Sequence, residues 1–152
     1  MRKEFEIKDM IPVIKTVIES GQTVKLTVTG NSMYPLLVGG RDRAELSSPV
    51  KLNKWDVILY RRKTGKYVFH RILKINHSNG ELILCGDNET VKEYGVNVSD
   101  VIAKAVAFER KGKEFKSGNV LYKIYSFLWC ISLRMRKPMF KLMRMVCFFC
   151  KN

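Results

Sequence analysis

The feature that most constrains the fold of this chain is a series of short strand-like runs between residues 23 and 109, with no helical periodicity between them. Turn signals separate the runs, among them Gly39-Gly40 and Thr64-Gly65. The predicted strands are residues 23–29, 43–47, 56–61, 66–75, 81–85 and 101–109. Several short strands at this spacing favour an antiparallel β domain.

A single helix is predicted ahead of the strands, over residues 9–20. Asp9 suits the N-cap, Pro12 falls in the first turn where proline is tolerated, and Gly21 suits the C-terminal end. The apolar residues recur at helical spacing and form one face, which consists of Ile11, Ile14, Val17 and Ile18. We therefore predict a mainly β fold with one leading helix, in a domain that covers residues 1–118.

The last 34 residues differ from the rest of the chain in charge and hydropathy. Residues 119–152 contain seven basic residues and no acidic one, which is half of the net charge of +14. Residues 120–133 are nearly all apolar but too few to cross a bilayer, which takes about 20 residues. Pro138 separates them from a second apolar and basic segment, residues 139–150. The composition predicts a basic, apolar, helical C-terminal tail.

Two interpretations of this tail are open. Two basic, aromatic-rich helical pieces would lie in a membrane interface, with Trp129 inserted and the basic side chains of residues 120–151 at anionic headgroups. Alternatively, the pieces form a helical hairpin that packs on the domain or mediates dimerisation. Nucleic acid is not an expected partner, because aromatic and aliphatic residues outnumber what a phosphate-binding arm needs.

The four cysteines do not resemble a small secreted disulfide framework, so reduced thiols in a cytosolic setting are the simpler expectation. Cys147 and Cys150 have metal-motif spacing, but no second ligand pair lies nearby, and we expect neither a metal nor a cofactor.

Residues 1–6 have no apolar run behind their charges, so no signal peptide or N-terminal anchor is expected. The expected location is the cytoplasm or the periphery of the cytoplasmic membrane.

The stretch Thr29–Pro35 is the first candidate for chemistry. It follows a predicted strand, Gly30 lets the backbone turn, and Pro35 cannot continue a sheet ladder. Ser32 therefore lies just after the end of a predicted strand. This position suits an exposed nucleophile and equally an ordinary turn, so the functional interpretation depends on a partner elsewhere in the chain.

His70 is the candidate base. In the alternating run of residues 66–73, Val68, His70 and Ile72 share one face, so the imidazole lies between apolar neighbours. This pattern suits a satisfied core histidine, or a general base that takes a proton from a serine hydroxyl. The other histidine, His77, lies in a polar turn and is predicted to be exposed.

Asp87 is the candidate third group, in the turn Gly86-Asp87-Asn88 that closes a predicted strand. Turn chemistry alone explains these residue types. The functional interpretation makes Asp87 the carboxylate that orients His70 and supports its imidazolium form. Glu93, six residues further on, is the less favoured substitute.

In combination, these elements closely resemble the type I signal peptidase and repressor-type autoprotease superfamily. The matching elements, in order, are Gly30–Pro35, Trp55–Tyr60, Tyr67–Ile72 and Gly86–Asn88. The resemblance covers roughly residues 22–109, and the Ser-Met-x-Pro and His-Arg-Ile elements are its most specific parts. It implies a signal-peptidase-like β domain in which Ser32 is the nucleophile. The base position holds His70, as in the Ser-His branch, and the aspartate of that branch falls on Asp87.

The resemblance further implies a serine endopeptidase that cleaves a leader or precursor peptide through an acyl-enzyme. The groups expected to hold the oxyanion are the main-chain N–H groups of Gly30, Asn31, Ser32 and Met33. Some members add a hydroxyl donor two residues before the nucleophile, where this chain has Gly30. Loss of one donor is expected to lower activity by about 10²–10³. The substrate would bind extended, beside residues 26–33 and 66–70.

The chain also departs from the superfamily pattern. Membrane-bound members carry an N-terminal anchor, and repressors carry an N-terminal DNA-binding domain. Neither is expected here, since the stretch before the strands leaves no room for a helix-turn-helix unit. The competing interpretation is a catalytically silent β domain that binds a membrane or a partner protein through its basic tail.

Overall fold

Eight antiparallel strands form one sheet in the computed structural model, which describes residues 7–136 and 138. The strands are β1 (Val24–Thr27), β2 (Arg43–Ser47), β3 (Val57–Arg61), β4 (Tyr67–Asn76), β5 (Glu81–Cys85), β6 (Glu93–Asn97), β7 (Val101–Arg110) and β8 (Lys113–Lys116). The helices are α1 (Ile7–Glu19) and α2 (Val120–Ile131), and short 3₁₀ turns cover Val98–Asp100 and Leu133–Met135. The predicted mainly β class with a leading helix is confirmed.

The strand order across the sheet is β1-β2-β7-β3-β4-β5-β6, and β8 pairs with β7. The long strand β7 is central because it pairs with β2 along one side and with β3 and β8 along the other. Within the described residues, strand β1 has a partner on one side only. This order places the end of β1, where Ser32 follows, several strands away from β4, which carries His70, so loops must bring the two residues together.

The six predicted strands are present, with ends that differ from the prediction by two residues or fewer. Strands β6 and β8 were not predicted, because neither has an alternating apolar pattern. Val96 is the buried residue of β6, and three of the four residues of β8 are charged and exposed. Helix α1 includes Ile7, which packs on the core, so Asp9 lies inside the first turn and not at the cap.

Two apolar clusters lie on the sheet, and β3 contributes to both. Its alternate residues Val57 and Leu59 belong to the first cluster, which also includes the inner face of α1. Ile58 and Tyr60 belong to the second cluster, which is formed with β4, β5, β6 and the start of β7. Because His70 pairs directly with Ile58, its side chain lies on the face of the second cluster.

Helix α2 packs one face against the sheet. The buried residues of this inner face are Tyr122, Ser126, Trp129 and Cys130. Tyr122 joins the first cluster, with its ring 5.1 Å from that of Phe108. The inner face of α2 therefore shares the core of the β domain. The second apolar segment of the tail, with Cys147 and Cys150, lies outside the described residues.

Candidate active site

Ser32 lies half-buried in the turn that follows β1. Its carbonyl oxygen accepts a 2.8 Å hydrogen bond from the N–H of Asn88, which fixes the backbone of the turn from the opposite side. Its hydroxyl donates a long, weak bond of 3.4 Å to the carbonyl oxygen of Phe69, the residue before His70. The nucleophile candidate is thus held by the main chain, while its side chain is only weakly engaged.

The turn around Ser32 offers free main-chain donors. Gly30 has a φ of +77°, the left-handed region that glycine adopts without strain. The Asn31 side chain accepts a 3.1 Å bond from the N–H of Gly39, which closes the turn. Among the described residues, the N–H groups of Gly30, Asn31, Ser32 and Met33 have no hydrogen-bond acceptor. Such N–H groups can donate to an oxygen that carries negative charge, although Met33 is fully buried.

His70 is fully buried, and its two ring nitrogens have different surroundings. Nδ1 lies 3.1 Å from the hydroxyl oxygen of Tyr60 and 3.3 Å from a carboxylate oxygen of Glu93. Nε2 is buried and makes no hydrogen bond within the part of the chain that the structure describes. A carboxylate oxygen of Glu89 lies 3.5 Å from it.

The hydrogen bonds around Glu93 determine where the proton of His70 sits. Arg62 donates two bonds of 2.8 and 2.6 Å to Glu93, and the Tyr60 hydroxyl donates a third of 2.6 Å. Because the Tyr60 proton is used in this way, its oxygen accepts from His70 Nδ1–H. The network therefore assigns the proton to Nδ1 and leaves the lone pair of Nε2 free, the tautomer that a general base requires.

The environment keeps this imidazole neutral. Burial lowers the pKa of His70 below its ordinary value of 6.5, and the nearby carboxylates of Glu89 and Glu93 offset only part of this effect. Burial alone would raise the pKa of Glu93, but the hydrogen bonds from Arg62 and Tyr60 outweigh it and lower the pKa. At neutral pH the site therefore holds a neutral His70 imidazole beside an ionised Glu93 carboxylate.

Asp87 does not contact His70, and the predicted pair is not formed. Both carboxylate oxygens of Asp87 instead accept bonds of 2.8 and 2.7 Å from Arg71, and both side chains are fully buried. The reason is the alternation of β4, which places Arg71 on the face opposite His70. The carboxylate at Nδ1 is Glu93, the residue that the sequence favoured less.

Gly86 lies close to both the backbone of Ser32 and the imidazole of His70. A Cβ atom at this position would lie 2.6 Å from the carbonyl oxygen of Ser32 and 3.1 Å from Nε2 of His70. No side chain fits there without a shift of the Ser32 backbone. The Gly86 loop, residues 86–89, thus shapes the site through its close approach and through the N–H of Asn88.

The inner face of α2 and the turn after it hold the Gly86 loop in place. The indole N–H of Trp129 donates 3.1 Å to the carbonyl oxygen of Asp87. The buried guanidinium of Arg136 donates bonds of 2.9 Å to the carbonyl oxygens of Gly86 and Glu89. These contacts connect α2 and Arg136 directly to the loop that borders Ser32 and His70.

An open strand edge lies next to the site. Strand β4 pairs with β3 through Tyr67–Arg71 but with β5 only through Arg71–Asn76. Among the residues that the structure describes, 67–70 therefore have a strand neighbour on one side only, as β1 does. Unpaired edges of this kind can accept an extended peptide as an added strand.

Sequence reasoning missed Tyr60, Arg62, Glu89 and Arg136 as site residues. Tyr60 lies on β3 and Arg62 follows directly after it. Only the pairing of β3 with β4 brings these two residues to His70 and Glu93. His77 is exposed, as predicted.

No protein-family model, no curated protein and no solved structure matches this chain.

Proposed function

We propose that the protein is a serine endopeptidase of the signal-peptidase type, with Ser32 as nucleophile and His70 as general base. One observation carries this proposal: a buried, neutral imidazole has its proton on the Nδ1 side, and its Nε2 makes no hydrogen bond within the described residues. This Nε2 lies 3.5 Å from a carboxylate oxygen of Glu89 and borders Gly86, which the backbone of Ser32 also approaches. A buried nitrogen without a hydrogen bond costs free energy, so a core histidine with a purely structural role would normally satisfy both ring nitrogens.

The residues support a two-step reaction. The Ser32 hydroxyl rotates from Phe69 towards His70 and attacks the peptide carbonyl, while Nε2 takes its proton. The N–H groups of residues 30–33 stabilise the oxyanion, and Glu93 stabilises the imidazolium. Nε2 then gives the proton to the leaving amine, which departs as the acyl-enzyme forms. Water, deprotonated by His70, hydrolyses the ester and regenerates Ser32.

Within this proposal, Asp87 has a positioning role in place of the one that the family resemblance implies. It anchors the Gly86 loop to β4 through Arg71, and the loop in turn fixes the Ser32 carbonyl through Asn88. The two open edges, β1 with the turn after it and residues 67–70, suit an extended substrate. A leader or precursor peptide is the proposed substrate class, because its cleavage site must be unfolded to add as a strand.

Incubation of the full chain with an unstructured peptide library tests the proposal. Mass spectrometry should detect new peptide termini with the wild type and none with Ser32→Ala. Ser78→Ala is a matched control, since Ser78 lies exposed in the turn between β4 and β5 and should leave cleavage unchanged. Identical termini at an undiminished rate with Ser32→Ala would show that another group performs the cleavage.

The pH dependence of cleavage follows from the direction of the His70 shift. Only neutral His70 accepts the Ser32 proton, and burial lowers its pKa below 6.5. We therefore expect kcat/KM to be constant at neutral pH and to fall about tenfold per pH unit on the acid side, with a midpoint below 6.5. A steady-state pH profile measures this. An acid midpoint above 6.5 would contradict the assignment of His70 as the base.

A further inference from the structure

The outer face of α2 carries a continuous row of exposed apolar side chains, here called the outer stripe. Its members are Leu121, Ile124, Leu128, Ile131 and Met135, whose side chains are between 51 and 77% exposed. They recur three or four positions apart, so they share one side of the helix and of the turn that follows. The inner face is already packed on the sheet. The outer stripe is therefore an apolar surface in addition to the core contact.

An apolar groove adjoins the outer stripe. It encloses about 630 Å³ between α2 and the face of β4 and β5, and Ile131 belongs to both the groove and the stripe. Phe127 and Trp55 meet edge to face in its wall, with ring centroids 5.4 Å apart. Stripe and groove together form one extended apolar surface, larger than scattered exposed residues would give.

Positive charge borders this surface. Three lysines line the groove, namely Lys54, Lys74 and Lys92, and within the described part of the chain no acidic side chain lines it. The charged residue of α2 is the exposed Lys123. An apolar centre with a purely cationic border complements the interface of an anionic lipid bilayer, where apolar groups enter the acyl boundary and lysines remain at phosphate level.

None of the helices within residues 7–136 is long and apolar enough to cross a membrane. Attachment in the plane of the interface requires only one apolar helix face. A second copy of this chain is disfavoured as the occupant, because two cationic borders would repel each other.

We infer that the outer stripe and its groove dock on the surface of an anionic bilayer. Vesicle sedimentation of the full chain tests this docking with phosphatidylglycerol-containing and purely zwitterionic vesicles. The wild type should bind the anionic vesicles preferentially. Leu128→Glu/Ile131→Glu should lower the partition coefficient at least about tenfold, because two apolar contacts are lost and two like charges face the lipid.

A matched double variant controls for added charge. Val13→Glu/Val50→Glu also replaces two exposed apolar residues, 64 and 92% exposed, but on other parts of the surface. It should bind like the wild type. Ser32→Ala should also bind like the wild type, so the outcome does not depend on the proposed peptidase activity.

Three outcomes would overturn the docking proposal. The first is undiminished binding of Leu128→Glu/Ile131→Glu, which would place lipid contact elsewhere in the chain. The second is equal binding to zwitterionic vesicles, which would remove the role of the cationic border. The third is a wild-type dimer in light scattering that this double variant dissociates, without vesicle binding by the wild type, which would identify a second copy as the occupant.

Discussion

Replacement of His70 by alanine is expected to lower the rate of peptide cleavage by about 10⁴-fold or more. Without the imidazole, the Ser32 hydroxyl has no group to take its proton, because its present hydrogen-bond partner is the carbonyl oxygen of Phe69. Steady-state cleavage of a peptide identified from the library measures this loss. Thermal unfolding of the same sample establishes that the variant is folded.

His77→Ala is the matched control, since His77 is the other histidine and lies exposed. Its rate should equal that of the wild type. A His70→Ala enzyme that keeps a tenth or more of the wild-type rate while folded would contradict the role of His70.

The same cleavage assay tests the role of the Glu93 carboxylate. Glu93→Gln keeps the shape of the side chain but allows the Tyr60–His70 network to change its protonation pattern, so a loss of about 10²–10⁴ in kcat is expected. The loss should appear in kcat more than in KM, because Glu93 contacts His70 at Nδ1 and its proposed role is to stabilise the imidazolium that forms in the transition state. An unchanged kcat would remove Glu93 from the mechanism.

Asp87→Ala is expected to act mainly on stability and to lower the free energy of unfolding by about 3–5 kcal/mol. Arg71 would then be a fully buried cation without its carboxylate partner, although it would keep its bonds of 3.1 and 2.9 Å to Tyr122 and Ser126. Urea denaturation measures the change. The exposed pair Lys25–Glu114 provides the comparison, and Glu114→Ala should leave the urea midpoint unchanged.

A double variant distinguishes loss of the pair from loss of packing. Arg71→Met/Asp87→Ala removes the cation as well as the carboxylate, so it should be more stable than Asp87→Ala alone. It also offers a measurement if Asp87→Ala fails to fold. A double variant less stable than the single one would show that the unpaired charge is not the main cost.

The fold was largely predictable because its signals are local. Six strands follow from alternation between turn residues, and Ser32 and His70 stand out from their immediate neighbours. The partners of His70 were not predictable in the same way. The contact of Glu93 with His70 depends on strand β6, which has too few apolar residues to be recognised in the sequence. It also depends on the hydrogen bond from Arg62, which lies just after β3.

The error at Asp87 has a specific physical cause. His70 and Arg71 are adjacent in sequence but lie on opposite faces of β4, and the sequence does not say which face the loop after β5 approaches. The structure brings Asp87 to the face of Arg71, where α2 covers the pair. The division of α2 into an inner and an outer face likewise depends on where the helix packs, because both faces are rich in apolar residues.

The most direct test of the central claim is to locate the adduct of serine-reactive acylating probes on the intact protein. We expect one modification, on Ser32, that forms at neutral pH, and a rate of labelling at least about 10³-fold lower in His70→Ala. Intact-mass measurement and peptide mapping identify the residue. Absence of any Ser32 adduct across a panel of such probes, or equal labelling in His70→Ala, would contradict the assignment of Ser32 as a nucleophile activated by His70.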